Sequence, residues 1–260
     1  MTKTVAIAVK TMDRGACPPK ARNYLGATLA NFERAGVFKS EHLHSLALVD
    51  SGSPKPWEFL EREVGSLIEY CGLDIPERRR NLHRNAARAI ELAGSAGADW
   101  AMVVEDDIDV CADFLESVVA WLEDHAQPSP MMYVFGANYR QIRVLYQKRK
   151  TVWRYPARGF YGALCCVWSP VDALDVVDWY GDDPAYLNKE GGKIYGRGHD
   201  LMLGRWGQER GVTHFQASVP CFIQHIGLDS GLGNRKIEYA GWRGPGYSYV
   251  NGRQTTGYRA

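Results

Sequence analysis

The sequence predicts an α/β protein, with a mostly parallel central sheet flanked by helices and followed by a smaller mixed β region. Three observations carry this expectation. Short apolar runs of strand length alternate with longer helix-like segments as far as Pro128. Two of the runs end directly in polar loop residues, Thr11 to Arg14 and Glu105 to Asp107, as strands do at the ligand-binding edge of an open α/β sheet. Beyond Pro128 the pattern breaks into shorter β-like runs.

The elements follow in order. Residues 4 to 9 read as a buried parallel strand, and Pro18-Pro19 precedes a helical stretch from about Lys20 to Ala35. His44 to Val49 is the next strand, ending at Asp50-Ser51-Gly52. Ser53-Pro54 then supplies an N-cap and first-turn pair for a helix carrying Trp57, Leu60, Val64 and Leu67. A second helix from Glu77 to about Ser95 lines up Leu82, Ala86, Ala89, Ile90 and Ala93, and leads into the strand Trp100 to Val104. After Pro128, strand-like runs are expected over Met131 to Phe135, Ile142 to Tyr146, Thr151 to Tyr155 and Phe160 to Trp168, with a hairpin over Gln147 to Lys150. Ser169-Pro170 opens a further helix. The last thirty residues hold seven glycines among tyrosines, Trp242 and arginines, and read as a lid or tail. The division expected is a first half over 1–127, a second half of the same domain over 128–230, and a lid or tail over 231–260.

Composition excludes several classes. With 260 residues, 45% hydrophobic, the chain can bury a sizeable core without disulfide staples, and the six cysteines show no zinc-type spacing, so they read as reduced core thiols. No apolar run reaches membrane-spanning length, and Val5 to Val9 is too short for a signal peptide, so a cytoplasmic location is expected. A Gly-rich dinucleotide fingerprint and a P-loop are both missing, which disfavours a dehydrogenase or an NTPase. The net charge of +1 conceals an asymmetry. Between His125 and Val171 there is no Asp or Glu, while Arg140, Arg143, Lys148, Arg149, Lys150, Arg154 and Arg158 fall there.

The strongest chemical signal is Met102-Val103-Val104-Glu105-Asp106-Asp107-Ile108-Asp109. Consecutive carboxylates repel one another unless a cation or hydrogen-bond donors neutralise them, and Mg²⁺ or Mn²⁺ suits such hard oxygen ligands. The competing reading is a solvated acidic turn. Here the chain resembles the GT-A glycosyltransferases, whose acid-any-Asp motif ends a strand in the middle of a Rossmann-like sheet. The resemblance implies that Asp107 binds the metal, that Glu105 and Asp106 hold the ribose and its hydrogen-bond network, and that the donor is a nucleoside-diphosphate sugar, with UDP the expected nucleotide.

Further segments extend the likeness. Gly196-Arg197-Gly198-His199-Asp200-Leu201-Met202-Leu203-Gly204 is similar to the acceptor-side segment of inverting members, which would make Asp200 the catalytic base; the alternative is an ordinary helix N-cap. Pro220 to Gly227 reads as a strand closing on a histidine and is similar to the Gln-His-aliphatic-Gly ending of the N-acetylglucosaminyltransferase-IV group, which implies His225 as a further metal ligand. Thr11, Asp13, Arg14 and Asp50 lie where such folds bind the nucleobase and ribose, and Arg84 and Asn85 are placed to reach the base or diphosphate.

The acid-free stretch mixes its cations with Tyr139, Tyr146, Trp153, Tyr155, Phe160 and Tyr161, a combination suited to a nucleic-acid backbone with exposed bases. The acceptor residues expected are Arg143, Lys148, Arg149, Lys150, Trp153, Arg154 and Tyr161. The leading acceptor is DNA carrying a hydroxymethylated pyrimidine, as in virus-encoded DNA glycosyltransferases, and a glycan or lipopolysaccharide is the alternative. A non-catalytic nucleic-acid-binding module and a nucleotidyltransferase are the readings of other classes.

Overall fold

The computed structural model describes residues 2–11, 24–50, 68–72, 78–136, 139–180, 199–225, 249–250 and 253–254. Its strands are β1 (Val5–Thr11), β2 (Leu43–Asp50), β3 (Ile68–Gly72), β4 (Trp100–Glu105), β5 (Ile108–Val110), β6 (Tyr133–Val134), β7 (Val152–Pro156), β8 (Cys165–Trp168), β9 (His214–Ser218), β10 (Ile223–His225), β11 (Tyr249–Val250) and β12 (Arg253–Gln254). The helices are α1 (Tyr24–Arg34), α2 (Arg78–Gly94), α3 (Phe114–His125), α4 (Tyr139–Gln147), α5 (Pro170–Tyr180) and α6 (His199–Glu209).

Eight strands form one sheet in the order β3-β2-β1-β4-β8-β6-β9-β7. The pairs β3-β2, β2-β1, β1-β4 and β6-β9 are parallel, and β4-β8, β8-β6 and β9-β7 are antiparallel. The expected architecture is therefore present, and the sheet runs unbroken across residue 128 through the β4-β8 pair. Two short ribbons, β5-β10 and β11-β12, stand apart from it.

Strand alternation sends side chains into two cores. Val5, Ile7, Val9, Leu46, Leu48, Met102 and Val104 pack with Leu25, Phe32, Phe114 and Leu122 of α1 and α3. Ala8, Ala47, Ala101 and Val103 point the other way, against Ala89, Ile90 and Ala93 of α2, with Trp168, Trp206 and Phe215 in the same cluster. Small residues on both surfaces let α2 approach closely, so the stripe seen in its sequence is the face it buries. Four cysteines, Cys111, Cys165, Cys166 and Cys221, are buried thiols outside any disulfide, as expected.

Three local expectations are corrected. Ile142 to Tyr146 lies within helix α4 rather than in a strand. The Ile142, Val144, Tyr146 alternation imitates a strand, but Ile142 is buried and Leu145 packs on the core, the i, i+3 spacing of a helix face, while Val144 and Tyr146 are 43% and 39% exposed. Gln147 to Lys150 is the end of that helix and not a hairpin: Arg149 N–H donates to the Tyr146 carbonyl and Lys150 N–H to the Leu145 carbonyl. Of Phe160 to Trp168 only β8 is strand, because Gly162 has φ +100° and breaks the extended run. Strand β3 had no counterpart in the sequence reading, and the Trp57 to Leu67 helix lies outside the described residues. Among the described residues no helix is long and apolar enough to cross a membrane.

Candidate active site

Register brings the polar strand ends together. Thr11 stands opposite Asp50, and Lys10 opposite Glu105, so the carboxyl ends of β1, β2 and β4 form one edge. Helix α1 fixes the acidic turn that follows β4. The Thr28 hydroxyl lies 2.8 and 3.0 Å from the carbonyls of Asp106 and Ile108 and accepts the Ile108 N–H, and Asn31 Nδ2 donates to the Ile108 carbonyl. Four contacts from two side chains to one backbone turn make its shape a property of the fold.

The carboxylates are neutralised mainly from within. Lys10 Nζ lies 2.6 Å from Glu105 Oε1, Thr11 Oγ1 donates to Asp106 Oδ2 at 2.9 Å, and Arg34 Nη2 lies 2.9 Å from Asp109 Oδ1, which also accepts the Val110 N–H. Burial pushes the Glu105 carboxyl above its usual range; Lys10 opposes the shift, and the charges of Asp107 and Asp200 add to it. Its side chain keeps 30% exposure, so the pair opens to the site rather than lying in the core. Burial likewise raises Asp109, against the pull of Arg34. Asp107 is 7% exposed at the same strand end.

Asp200 approaches from the opposite half of the sheet. It is the second residue of α6, yet its carboxylate does not cap that helix: Oδ2 accepts the Gly162 N–H at 2.8 Å and Oδ1 the Ala163 N–H at 3.3 Å. The helix sits close enough because of Gly204, where a Cβ would come within 2.6 Å of the Ala157 carbonyl oxygen. Behind it Tyr180 Oη and His199 Nδ1 share a buried 2.8 Å hydrogen bond. Burial and then the Asp200 charge hold the Tyr180 hydroxyl well above its usual range, so it stays protonated.

The other predicted residues divide into three groups. Asn85 is buried, and its Nδ2 donates to the Val49 carbonyl at 2.6 Å and lies 3.5 Å from that of Thr11, so it clamps the ends of β1 and β2. Lys148, Arg149, Lys150, Arg154 and Tyr161 are exposed, Tyr161 at 63%, and Trp153 is half-buried. The Trp153 ring stacks on Tyr155 at 4.2 Å, and the Tyr155 hydroxyl donates to the Tyr161 carbonyl, beside the segment that Asp200 holds. Asp13 and Arg14 lie outside the described residues, as do the side chains of Asp50, Arg84, Arg143 and His225. The backbone of His225 pairs with Ile108, next to Asp107.

Sequence reasoning missed Lys10 and the Tyr180–His199 pair. A single lysine at the end of an apolar strand carries no signal until the β1-β4 register places it against Glu105.

For a divalent cation, the described residues hold no group of three or more His, Cys, Asp or Glu side chains arranged as ligands. Asp107, buried at the strand end beside Glu105 and Asp106, is a hard oxygen donor of the kind that can share a divalent cation with substrate phosphates.

No protein-family model and no curated protein matches this sequence. Among solved structures the chain is similar to S. aureus TarS 1–349, alone and in complexes with UDP and with UDP-GlcNAc. The TM-scores are 0.48, 0.46 and 0.50 at 10%, 11% and 10% identity. The alignments cover 84%, 74% and 87% of this chain but 58%, 54% and 61% of the TarS chain, so the chain spans little more than half of its structural relative. The likeness is one of fold. It rests on the UDP-GlcNAc complex, and it agrees with the Rossmann-like sheet described above.

Proposed function

We propose that the protein is a glycosyltransferase that moves a sugar from a nucleoside-diphosphate sugar, UDP-linked, to an acceptor hydroxyl with inversion at the anomeric carbon. The observation that carries this reading is the placement of Glu105, Asp106 and Asp107 at the strand edge beside Asp200 of α6: the Glu105 N–H donates to the Leu164 carbonyl, and Asp200 accepts the N–H of the adjoining Ala163. The TarS fold that the chain resembles is one that holds UDP-GlcNAc.

In this reading the carboxyl ends of β1 and β2 receive the nucleoside, with Thr11 and Asn85 fixing the strand ends and Asp13, Arg14, Asp50 and Arg84 as further donor residues. Glu105 and Asp106, oriented by Lys10 and Thr11, bind the ribose side, while Asp107, with His225, would hold Mn²⁺ or Mg²⁺. A bound cation would neutralise charge on the departing diphosphate. Asp200, its carboxylate oriented by the Gly162 and Ala163 amides, takes the acceptor hydroxyl proton. The freed oxygen then bonds to the anomeric carbon as the carbon–oxygen bond to the diphosphate breaks.

For the acceptor, the exposed cations and stacked aromatics after Pro128 favour a 5-hydroxymethylpyrimidine in DNA, and a glycan or lipopolysaccharide hydroxyl is the second reading that the same aromatics support. A panel of nucleotide-sugars incubated with hydroxymethylated DNA and with simple glycans, read out as released nucleoside diphosphate, tests both. Release with DNA alone supports the first, release with a glycan alone supports the second, and no release with any pair contradicts the glycosyltransferase reading.

A further inference from the structure

Charge pairing separates the β7 edge from most other cations of the described surface, Lys39 being the other exposed cation without a carboxylate partner among the described residues. Lys3, Lys10, Arg34, Arg88, Arg205 and Arg210 each sit within 3 Å of a carboxylate oxygen. Lys148, Arg149, Lys150, Arg154 and Arg158 are all exposed, and none is paired with a carboxylate among the described residues. They follow one another through the turn before β7, along that strand and into the turn after it, on the outermost strand of the sheet. Charges on an edge strand also discourage edge-to-edge pairing, but Arg154 alone would serve that purpose.

The turn holds a second anomaly. Arg149 N–H to the Tyr146 carbonyl and Lys150 N–H to the Leu145 carbonyl close helix α4 with a Schellman pattern, which places Arg149 at the left-handed position that glycine normally fills. Its φ is +55°. A cation is thus kept where the backbone favours glycine, and strain retained at an exposed charged residue points to a ligand.

The sheet also gives a distance. Val104 pairs with Cys165, the Phe135 N–H donates to the Cys165 carbonyl, Val134 pairs with Ala217, and Ser218 pairs with Val152, so the basic turn leaves the sheet at the level of Glu105. Four strand spacings of about 4.8 Å separate β4 from β7, about 19 Å in all. Duplex DNA advances about 3.4 Å per base pair, so the same span is about five to six base pairs.

We propose that Lys148, Arg149, Lys150 and Arg154 form a phosphate-gripping arm, which holds the acceptor DNA backbone about five base pairs to one side of the hydroxyl that receives the sugar. The protein thereby measures acceptor length. This rests on the DNA reading above. A row of exposed cations matches a regularly repeating phosphate charge, whereas an isolated phosphate on a glycan calls for converging, buried donors.

The test uses duplexes carrying one 5-hydroxymethylcytosine with two to twelve base pairs on either side, with binding followed by fluorescence anisotropy at several salt concentrations. Wild-type affinity should rise about tenfold as one flank, and only one, passes roughly six base pairs, and then level off. Arg149→Gly should lower the slope of log affinity against log salt by about one and shrink that step, while its melting temperature rises by about 2–4 °C, which shows that the lost binding is not lost folding. Affinity indifferent to flank length, an undiminished step in a Lys148→Ala/Arg149→Gly/Lys150→Ala variant, or displacement of DNA at low salt by a phosphorylated glycan would overturn the arm. A length step without sugar transfer keeps the arm and removes the glycosyltransferase reading. Transfer to DNA without a length step does the reverse.

Discussion

The strand-end centre and the β7 edge carry opposite charge and solve opposite problems. At the strand ends Glu105, Asp106 and Asp109 are each met by a side chain of β1 or α1, so their charges are compensated before any ligand arrives. Along β7 five cations have no partner among the described residues. Compensated charge fixes geometry, and uncompensated charge is left for something outside the chain. On the proposed reading the first region positions a ligand and the second captures one in a salt-sensitive way.

The comparison breaks most visibly at Asp107. On the proposed reading, Asp107→Ala should abolish turnover while the far-ultraviolet circular dichroism stays that of the wild type; retained turnover would remove Asp107 from the site. Asp200→Asn should keep donor binding and slow the chemical step by about a hundredfold or more, the usual scale for losing a general base. Product of the wild type with retained anomeric configuration would refute that role.

Lys10→Met tests compensation itself. It leaves Glu105 facing Asp107 and Asp200 without its cation, at an expected cost of about 1–3 kcal/mol. The Glu105 carboxyl is already held above its usual range in the folded chain, so its contribution to stability is present below the unfolded value and is lost as pH rises through the folded one. Removing Lys10 deepens that loss. The deficit in urea midpoint should therefore be small near pH 4 and larger near neutrality, and an equal deficit at both would show that Lys10 acts only through packing. The smallest effect belongs to the edge, where Arg149→Gly should stabilise the fold by about 1 kcal/mol through relief of the left-handed backbone, read as a raised urea midpoint. A lowered midpoint would mean that the arginine side chain itself holds the turn.

The two regions were also unequally legible in the sequence. The acidic turn stood out because an apolar strand ran straight into it, and helix α2 because Ala86, Ala89, Ile90 and Ala93 keep helical spacing. Strand β3 was missed because Ile-Glu-Tyr-Cys-Gly is short and interrupted by Glu69, and helix α4 because every second residue from Ile142 to Tyr146 is apolar. The partners of the acidic residues were hidden for another reason. Lys10 lies 95 residues from Glu105, and Asp200 lies 38 from Gly162, so only strand register and helix packing reveal those pairs. The basic stretch was visible as composition, but its place on the outermost strand, at the level of Glu105, needed the sheet order.

Titration of the protein with UDP by calorimetry, in Mn²⁺ and again in excess chelator, tests the central claim most directly, because it asks only whether the strand-end centre receives a nucleoside diphosphate. Saturable binding to the wild type in Mn²⁺, lost with chelator and lost in Asp107→Ala, is the result predicted. UDP binding of equal strength with and without chelator would contradict the metal-bridged donor site, and no binding in either condition would contradict the UDP-sugar reading itself.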